Sequence, residues 1–152
     1  MALDPAFVGK QYPPTEPYEV SREKIREFAA AIGDRNPVYR DREAAMALGY
    51  RDVIAPPSFP IVVSMPAAAQ VIFDPELGLD YSRVVHGEQS FDYTRPVCAG
   101  DQLTVVVTVE RIKSAAGNDI ITTRSELTTV DGEAVVTARS TLVARGPDPD
   151  DA

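Results

Sequence analysis

The run from Phe59 to Phe73, which reads FPIVVSMPAAAQVIF, determines the architecture of this chain. It is apolar on nearly all sides, and that pattern is typical of a helix enclosed by the rest of a protein. We expect a helix from Phe59 to Ile72, capped by Ser58 and kinked at Pro66, where proline removes one backbone hydrogen bond. Polar residues interrupt the run before it reaches the roughly 18 apolar residues of a membrane span. The sequence therefore predicts a buried helix and no transmembrane segment.

After this helix the chain changes to alternating apolar and polar residues, which predicts β-strands. We expect four long strands, at Arg83 to Pro96, Gln102 to Ser114, Asp119 to Val130 and Glu133 to Arg145. Short connections, among them the hairpin signal Asp131-Gly132, predict that the four strands pair in sequence as an antiparallel meander. Small residues at alternate positions of the last strand leave room for a helix to lie against it.

Before the apolar helix, the chain predicts a short strand and two more helices. Tyr18 to Val20 favours the strand, and helices follow at Arg22 to Ile32 and at Arg42 to Leu48. Helices placed ahead of an antiparallel sheet indicate the α+β fold class. The length favours one domain over residues 1–145, and the Pro- and Asp-rich residues 146–152 predict an acidic, disordered tail.

Charge and cysteine content narrow the classes of function. A formal charge of −8 and a pI near 4.6 argue against binding to nucleic acid or to an anionic membrane surface. Cys98 is the only cysteine, and the amino terminus has no signal-peptide pattern, so we expect a cytoplasmic protein. One histidine and one cysteine do not supply a nitrogen or sulfur metal site, so no metal and no cofactor are expected.

The segment between the first two helices, AIGDRNPVY from Ala31 to Tyr39, carries the clearest chemical pattern. Gly33 ends the first helix, so the loop projects Asp34 and Tyr39 together. Asn36 and Pro37 are also typical turn residues, because Asx side chains cap the backbone and Asn-Pro starts turns. For Asn36 a turn role and a functional role are both open, whereas for Asp34 the functional role is favoured.

Three motifs together resemble a known family. They are Gly33-Asp34-x-Asn36-Pro37, Ala55-Pro56-Pro57-Ser58-Phe59, and the strand from His86 to Arg95-Pro96 that leads to Gly100-Asp101. The chain resembles the MaoC-like (R)-specific enoyl-thioester hydratases and dehydratases. It looks most similar to the HadA-type subunits of (3R)-hydroxyacyl-ACP dehydratases, with a FAS1-type dehydratase domain. The resemblance implies the hot-dog fold, in which a curved antiparallel β-sheet wraps a long central helix.

The resemblance also implies roles for the loop residues. In this family the Asp and a His five residues later flank the water that adds to, or leaves from, C3 of an acyl thioester. Here Asp34 is present, but Tyr39 replaces the histidine. A phenol, with a pKa of about 10, is a poor base near neutral pH, whereas imidazole titrates at about 6.5. We therefore expect a substrate-binding subunit of a (3R)-hydroxyacyl-thioester dehydratase in fatty-acid elongation, not catalytic by itself.

Two other functions remain open. One is a self-sufficient, homo-oligomeric (R)-specific enoyl-thioester hydratase that uses Asp34 with Tyr39 or with His86, the only histidine. By strand alternation His86 should face away from Gln89, and a lone strand histidine is usually structural. The other is an acyl-thioester binding or thioesterase-like module. In either case, unpaired N–H groups at Ser58 and Phe59 could hold the thioester carbonyl oxygen.

The partners follow from the same resemblance. We expect an acyl-ACP or acyl-CoA thioester as ligand, and a homodimer or a heterodimer with a His-bearing MaoC-like subunit. An acidic carrier protein needs a local basic patch on this acidic chain, and arginines that are close in sequence could supply one: Arg22, Arg26, Arg35, Arg40, Arg42 and Arg51. The alternative to a binding patch is that these arginines belong to a solvated helix face of mixed charge.

Overall fold

The computed structural model of the protein describes residues 3–146. Within them lie three α-helices: α1 (Arg22–Ala31), α2 (Arg42–Ala47) and α3 (Ile61–Ile72). Five strands accompany them: β1 (Tyr18–Glu19), β2 (Val84–Tyr93), β3 (Gln102–Ala115), β4 (Asn118–Thr129) and β5 (Ala134–Ala144). The strands form one curled antiparallel sheet in the order β1-β3-β4-β5-β2, and α3 packs against β3 and β4. This arrangement confirms the predicted α+β hot-dog fold.

Helix α1 forms where the sequence predicts it. The Ser21 hydroxyl oxygen accepts a hydrogen bond from the N–H of Lys24 at 3.1 Å and so caps the first turn. Ile25 and Ala29, four residues apart, are completely buried. Gly33, with a φ of +73°, then turns the chain out of the helix.

The predicted strand order is wrong in one respect, because β2 pairs with β5 and not with β3. The pairing runs from Val84 opposite Ala144 to Tyr93 opposite Val136. The physical reason lies in residues 94–101, which do not form a hairpin. Their backbone bonds instead to the segment before α3: the N–H of Ala55 donates to the carbonyl of Val97, and the N–H of Ala99 to that of Val53. The chain therefore crosses to the far edge of the sheet before β3 begins.

A second correction concerns the face on which His86 lies. The β2–β5 register shifts between His86 and Glu88, so that Gly87 is an extra residue, a β-bulge. The bulge breaks the alternation, and His86 lies on the same side of the sheet as Gln89. A side chain at position 87 would put its Cβ 3.3 Å from the carbonyl oxygen of Thr141, which explains a glycine there.

The start of α3 also differs from the prediction. The helix begins at Ile61, Pro60 occupies the N-cap position, and no side chain caps it, so the predicted Ser58 cap is wrong. A tight turn precedes the helix, in which the N–H of Phe59 bonds to the carbonyl of Pro56 and that of Ile61 to the carbonyl of Ser58. These bonds satisfy donors that a side-chain cap would otherwise take. The helix continues through Pro66 to Ile72.

Burial along α3 is one-sided. The side chains that face the sheet are buried, namely Val63, Ser64, Ala67 and Val71. Met65 is 55% exposed and Phe73, just after the helix, is 66% exposed. The sequence suggested a helix enclosed on most sides, but in the single chain one face of α3 remains open.

The motif that ends in Gly100-Asp101 has a structural role. Arg95 binds both carboxylate oxygens of buried Asp101, at 2.8 and 3.0 Å, and Arg51 forms a further ion pair with it. Burial acts to raise the pKa of Asp101, but hydrogen bonds from Arg95 and from the N–H of Cys98 hold that pKa below its usual value. This cluster fixes the crossing segment between β2 and β3.

The carboxyl end of the described chain is held against the sheet edge. The N–H of Gly146 donates to the Asn118 side chain at 3.2 Å, and its carbonyl accepts from Arg83 at 2.8 Å. Gly146 is the first residue of the predicted acidic tail, and residues 147–152 lie outside the described part. Among residues 3–146, no helix is long and apolar enough to cross a membrane.

Candidate functional site

Asp34 lies in a loop that its own backbone and side chain hold in place. Its N–H continues the hydrogen bonding of α1 by donating to the carbonyl of Ala29 at 2.9 Å. Its side-chain Oδ1 accepts from the N–H of Asn36 at 3.1 Å, which is an Asx turn. Arg40 donates to the main-chain carbonyl of Asp34 at 3.2 Å. The half-buried carboxylate therefore has a fixed position, with one oxygen engaged in the turn.

Asn36 has a role in the local structure of the loop. Its Oδ1 accepts from the N–H of Val38 at 3.1 Å and caps the short 3₁₀ helix Pro37–Tyr39. The residue is exposed. It thus sets the turn that carries Tyr39 inward, which is one of the two roles left open by the sequence, and a role in binding substrate stays a prediction.

Tyr39 occupies the position of the family histidine and is only 7% exposed. Burial raises the pKa of the Tyr39 phenol, and the negative charge of nearby Asp34 raises it further. Among residues 3–146, its hydroxyl has no hydrogen-bond partner. The environment therefore keeps Tyr39 protonated near neutral pH, where it is a hydrogen-bond donor and not a base.

Tyr93 belongs to the same cluster, although the sequence did not single it out. Its hydroxyl donates to the carbonyl oxygen of Pro57 at 2.6 Å. Burial raises the pKa of Tyr93, and a charge on Tyr39 would raise it further, so the two phenols are close neighbours. The only signal in the sequence was its place near the end of the His86–Pro96 motif strand.

The turn before α3 offers one free backbone donor. Phe59 is completely buried, stacks edge-on against Phe28 at 5.4 Å, and uses its N–H within the turn. Pro57 and Pro60 have no N–H. Within residues 3–146 the N–H of Ser58 has no partner, and the residue is exposed. Of the two predicted donors, only Ser58 is thus available to bind a carbonyl oxygen.

His86 lies away from this cluster. Its Nε2 is 3.2 Å from the side-chain oxygen of Gln89, at the opening of a cavity between α3 and the sheet. Six strand residues separate it from Tyr93, about 20 Å at the usual rise. The structure therefore brings Asp34, Tyr39, Tyr93 and Ser58 to one end of α3 and leaves His86 outside that group.

The expected basic patch is largely neutralised inside the chain. Four of its six arginines form ion pairs with carboxylates among the described residues: Arg22, Arg26, Arg42 and Arg51. Arg35 and Arg40, which flank the Asp34 loop, form none within residues 3–146. In that same part of the chain, no three His, Cys, Asp or Glu side chains are grouped to hold a metal ion.

Comparison with known proteins assigns the family. Residues 6–138 match the family described as FAS1-like, dehydratase domain region. The UPF0336 protein of Streptomyces avermitilis is 66% identical over 145 residues, which cover 95% of this chain and 97% of that protein. The UPF0336 protein of Saccharopolyspora erythraea is 62% identical over 146 residues, with 96% and 94% covered.

Two solved structures agree with this assignment. A MaoC-like dehydratase superposes with a TM-score of 0.87 at 36% identity, over 94% of this chain and 43% of that one. A chain of the HadBC (3R-hydroxyacyl-ACP dehydratase) complex of Mycobacterium tuberculosis superposes with a TM-score of 0.82 at 31% identity, over 94% of this chain and 99% of that one. The chain thus spans less than half of the first structure and almost all of the second. It belongs to the FAS1-like dehydratase-domain family and has the hot-dog fold of the MaoC-like dehydratases.

Proposed function

We propose that this chain is the substrate-binding subunit of a (3R)-hydroxyacyl-thioester dehydratase and that a His-bearing MaoC-like partner supplies the catalytic pair. The observation that carries the proposal is the state of Tyr39. It stands at the family's histidine position, is almost fully buried, and has a raised pKa because of burial and the Asp34 charge.

The chemistry of dehydration explains why this matters. A base must remove a proton from C2, and an acid must protonate the hydroxyl that leaves C3. General acid–base groups contribute about 10²–10⁴-fold when their pKa lies near the working pH. A phenol whose pKa is raised above 10 neither takes up a proton at neutral pH nor releases one readily. His86, the only histidine, lies about 20 Å along β2 from Tyr93 and so outside the group that contains Asp34.

Although the chain lacks the catalytic histidine, several of its groups are suited to bind the thioester. The unpaired N–H of Ser58 is a donor of the kind that holds a thioester carbonyl oxygen. Tyr93 fixes the neighbouring Pro57 carbonyl, so the turn presents Ser58 in a defined orientation. Arg35 and Arg40 are close in sequence to this site and are available to the phosphates of CoA or of a carrier protein.

The sheet edges support association with a second subunit. Strand β2 is ten residues long and pairs on one side only among the described residues, with β5. A long unpaired edge is usually covered in soluble proteins, and pairing with another protomer is one way to do so. The HadBC structure that this chain resembles is itself a complex.

Dehydration of a (3R)-hydroxyacyl thioester tests the proposal, with the purified chain alone and then mixed with a His-bearing MaoC-like subunit from the same genome. Activity is expected only in the mixture, and above the rate of the partner alone. Turnover by this chain alone that Asp34→Asn abolishes would instead identify a self-sufficient hydratase. Release of free thiol without dehydration would identify a thioesterase-like module.

A further inference from the structure

A cavity of about 130 Å³ lies between α3 and the concave face of the sheet. Much of its wall is apolar, contributed by Ile61, Met65, Ala68, Ile72, Val84 and Leu142. It opens to solvent beside Met65 and Tyr81, both of which are exposed. A space of this size holds several water molecules or a small organic group of about six carbons.

The interior of this cavity carries hydroxyl groups. Ser64 of α3 is 5% exposed, and Thr123 and Ser125 of β4 are each 3% exposed. Ser140 of β5, directly opposite Thr123, adds a fourth. Within residues 3–146 none of the four side chains has a hydrogen-bond partner, and Ser64 does not bond back to its own helix, as helical serines often do.

The opposite face of the same strands behaves differently. There the Thr122 and Thr141 hydroxyls bond to each other at 3.0 Å, and those of Thr104 and Thr128 at 3.3 Å. These four outer-face hydroxyls are therefore paired, whereas the four that line the cavity are not. An unpaired buried hydroxyl is unfavourable unless water or a ligand satisfies it. The four unpaired hydroxyls Ser64, Thr123, Ser125 and Ser140 all line one space, the cavity beneath α3.

The cavity begins beside the candidate site, because Ile61 lines it and the N–H of Ile61 bonds to the carbonyl of Ser58. Ser64 lies three residues beyond Ile61, about 4.5 Å along the axis of α3. Gln89, at the cavity wall, lies four residues before Tyr93, about 13 Å along a strand. A thioester carbonyl held at Ser58 would thus place the distal part of its acyl group among the hydroxyls.

We infer that this cavity binds an acyl group carrying a hydroxyl or carbonyl oxygen beyond the reacting carbons, so that the chain favours oxygenated acyl thioesters over plain alkyl ones. A plain alkyl chain would displace water from four hydroxyls without replacing their hydrogen bonds. Sites built to bond a substrate hydroxyl discriminate strongly against analogues that lack it. The inference rests on the proposed function, because it names the substrate class of the same site.

Calorimetric titration of the full chain, alone and with its His-bearing partner, tests this. The ligands are octanoyl-pantetheine and its analogues with one hydroxyl at C6, C7 or C8, which carry the arm common to CoA and ACP. We expect the best hydroxylated analogue to bind at least about tenfold more tightly than octanoyl-pantetheine. Thr123→Val and Ser125→Ala should each reduce that ratio.

Ser90→Ala is the matched control, because this exposed hydroxyl on the same sheet lines the outer face. It should leave the ratio unchanged. If octanoyl-pantetheine binds as tightly as every hydroxylated analogue, the inference is overturned while the proposed function stands. If no acyl thioester binds to the chain or to the mixture, both are overturned.

Discussion

The hydroxyl of Tyr93 and the carbonyl oxygen of Pro57 are 2.6 Å apart, and this hydrogen bond ties the end of β2 to the turn that precedes α3. Tyr93→Phe removes the donor and leaves a carbonyl unpaired beside Ser58. We expect a loss of about 1 kcal/mol in the free energy of unfolding and weaker thioester binding. Urea denaturation and titration with an acyl thioester measure the two effects. Tyr81→Phe, which alters an exposed phenol, should change unfolding little.

Tyr39→His should restore the catalytic pair. Imidazole titrates near the working pH, so the variant alone should dehydrate a (3R)-hydroxyacyl thioester at least about 10²-fold faster than the unmodified chain. The rate of this variant, measured from pH 5 to 9, should depend on pH because the new imidazole titrates in that range, whereas the phenol of Tyr39 does not. Tyr39→Phe is the control and should stay inactive alone. If the Tyr39→His variant folds and binds thioester but remains inactive, the chain lacks other groups that catalysis requires besides the histidine.

The Asp101 cluster should dominate the stability of the crossing segment. Asp101→Asn removes a buried charge that Arg95 and Arg51 both contact, which we expect to cost about 3 kcal/mol. Chemical denaturation measures the loss. Asp92→Asn provides the comparison, since its ion pair with Arg139 is exposed and should contribute less than about 1 kcal/mol. Equal losses of unfolding free energy in the two variants would mean that the buried Asp101 cluster stabilises the fold no more than an exposed ion pair does.

Acid should weaken the attachment of the amino-terminal segment. Hydrogen bonds from Lys10 and from Tyr12 lower the pKa of Asp74 to about 2. A carboxyl with a lowered pKa stabilises the fold above its unfolded value of 3.8 and loses that contribution as the pH falls towards 2. Urea midpoints at pH 6, 4, 3 and 2 should therefore fall less steeply for Asp74→Asn than for the unmodified chain. The exposed Glu16→Gln should follow the unmodified chain.

Local structure was largely predictable from the sequence, because its causes are local. The Ser21 cap and the buried pair Ile25 and Ala29 define α1 within a few residues, and the hairpins after β3 and β4 form at their turn residues. The partner of β2 was not predictable in this way. Its position depends on where residues 94–101 find backbone hydrogen bonds, and those partners lie around Val53, some forty residues earlier.

The sequence predicts only those parts of the candidate site that lie within a single motif. Asp34 and Tyr39 share a loop of the sequence, so their proximity follows from the turn. The contact between Tyr93 and the Pro57 turn joins two distant segments, and no pattern within either one indicates it. The bulge at Gly87 likewise depends on the opposing strand, which is why simple alternation placed His86 on the wrong face.

The pairing of β2 with β5 also fixes an order of events in folding. Val84 must wait for Ala144, sixty residues further along the chain, before it can pair. At about 5–20 residues per second, a ribosome needs about 3–12 s to make that stretch. Throughout this interval β2 lacks β5, its partner strand, and their pairing then closes a longer loop than either hairpin, β3–β4 or β4–β5. Until β2 docks, its unpaired backbone leaves a nascent chain exposed to aggregation and to chaperones.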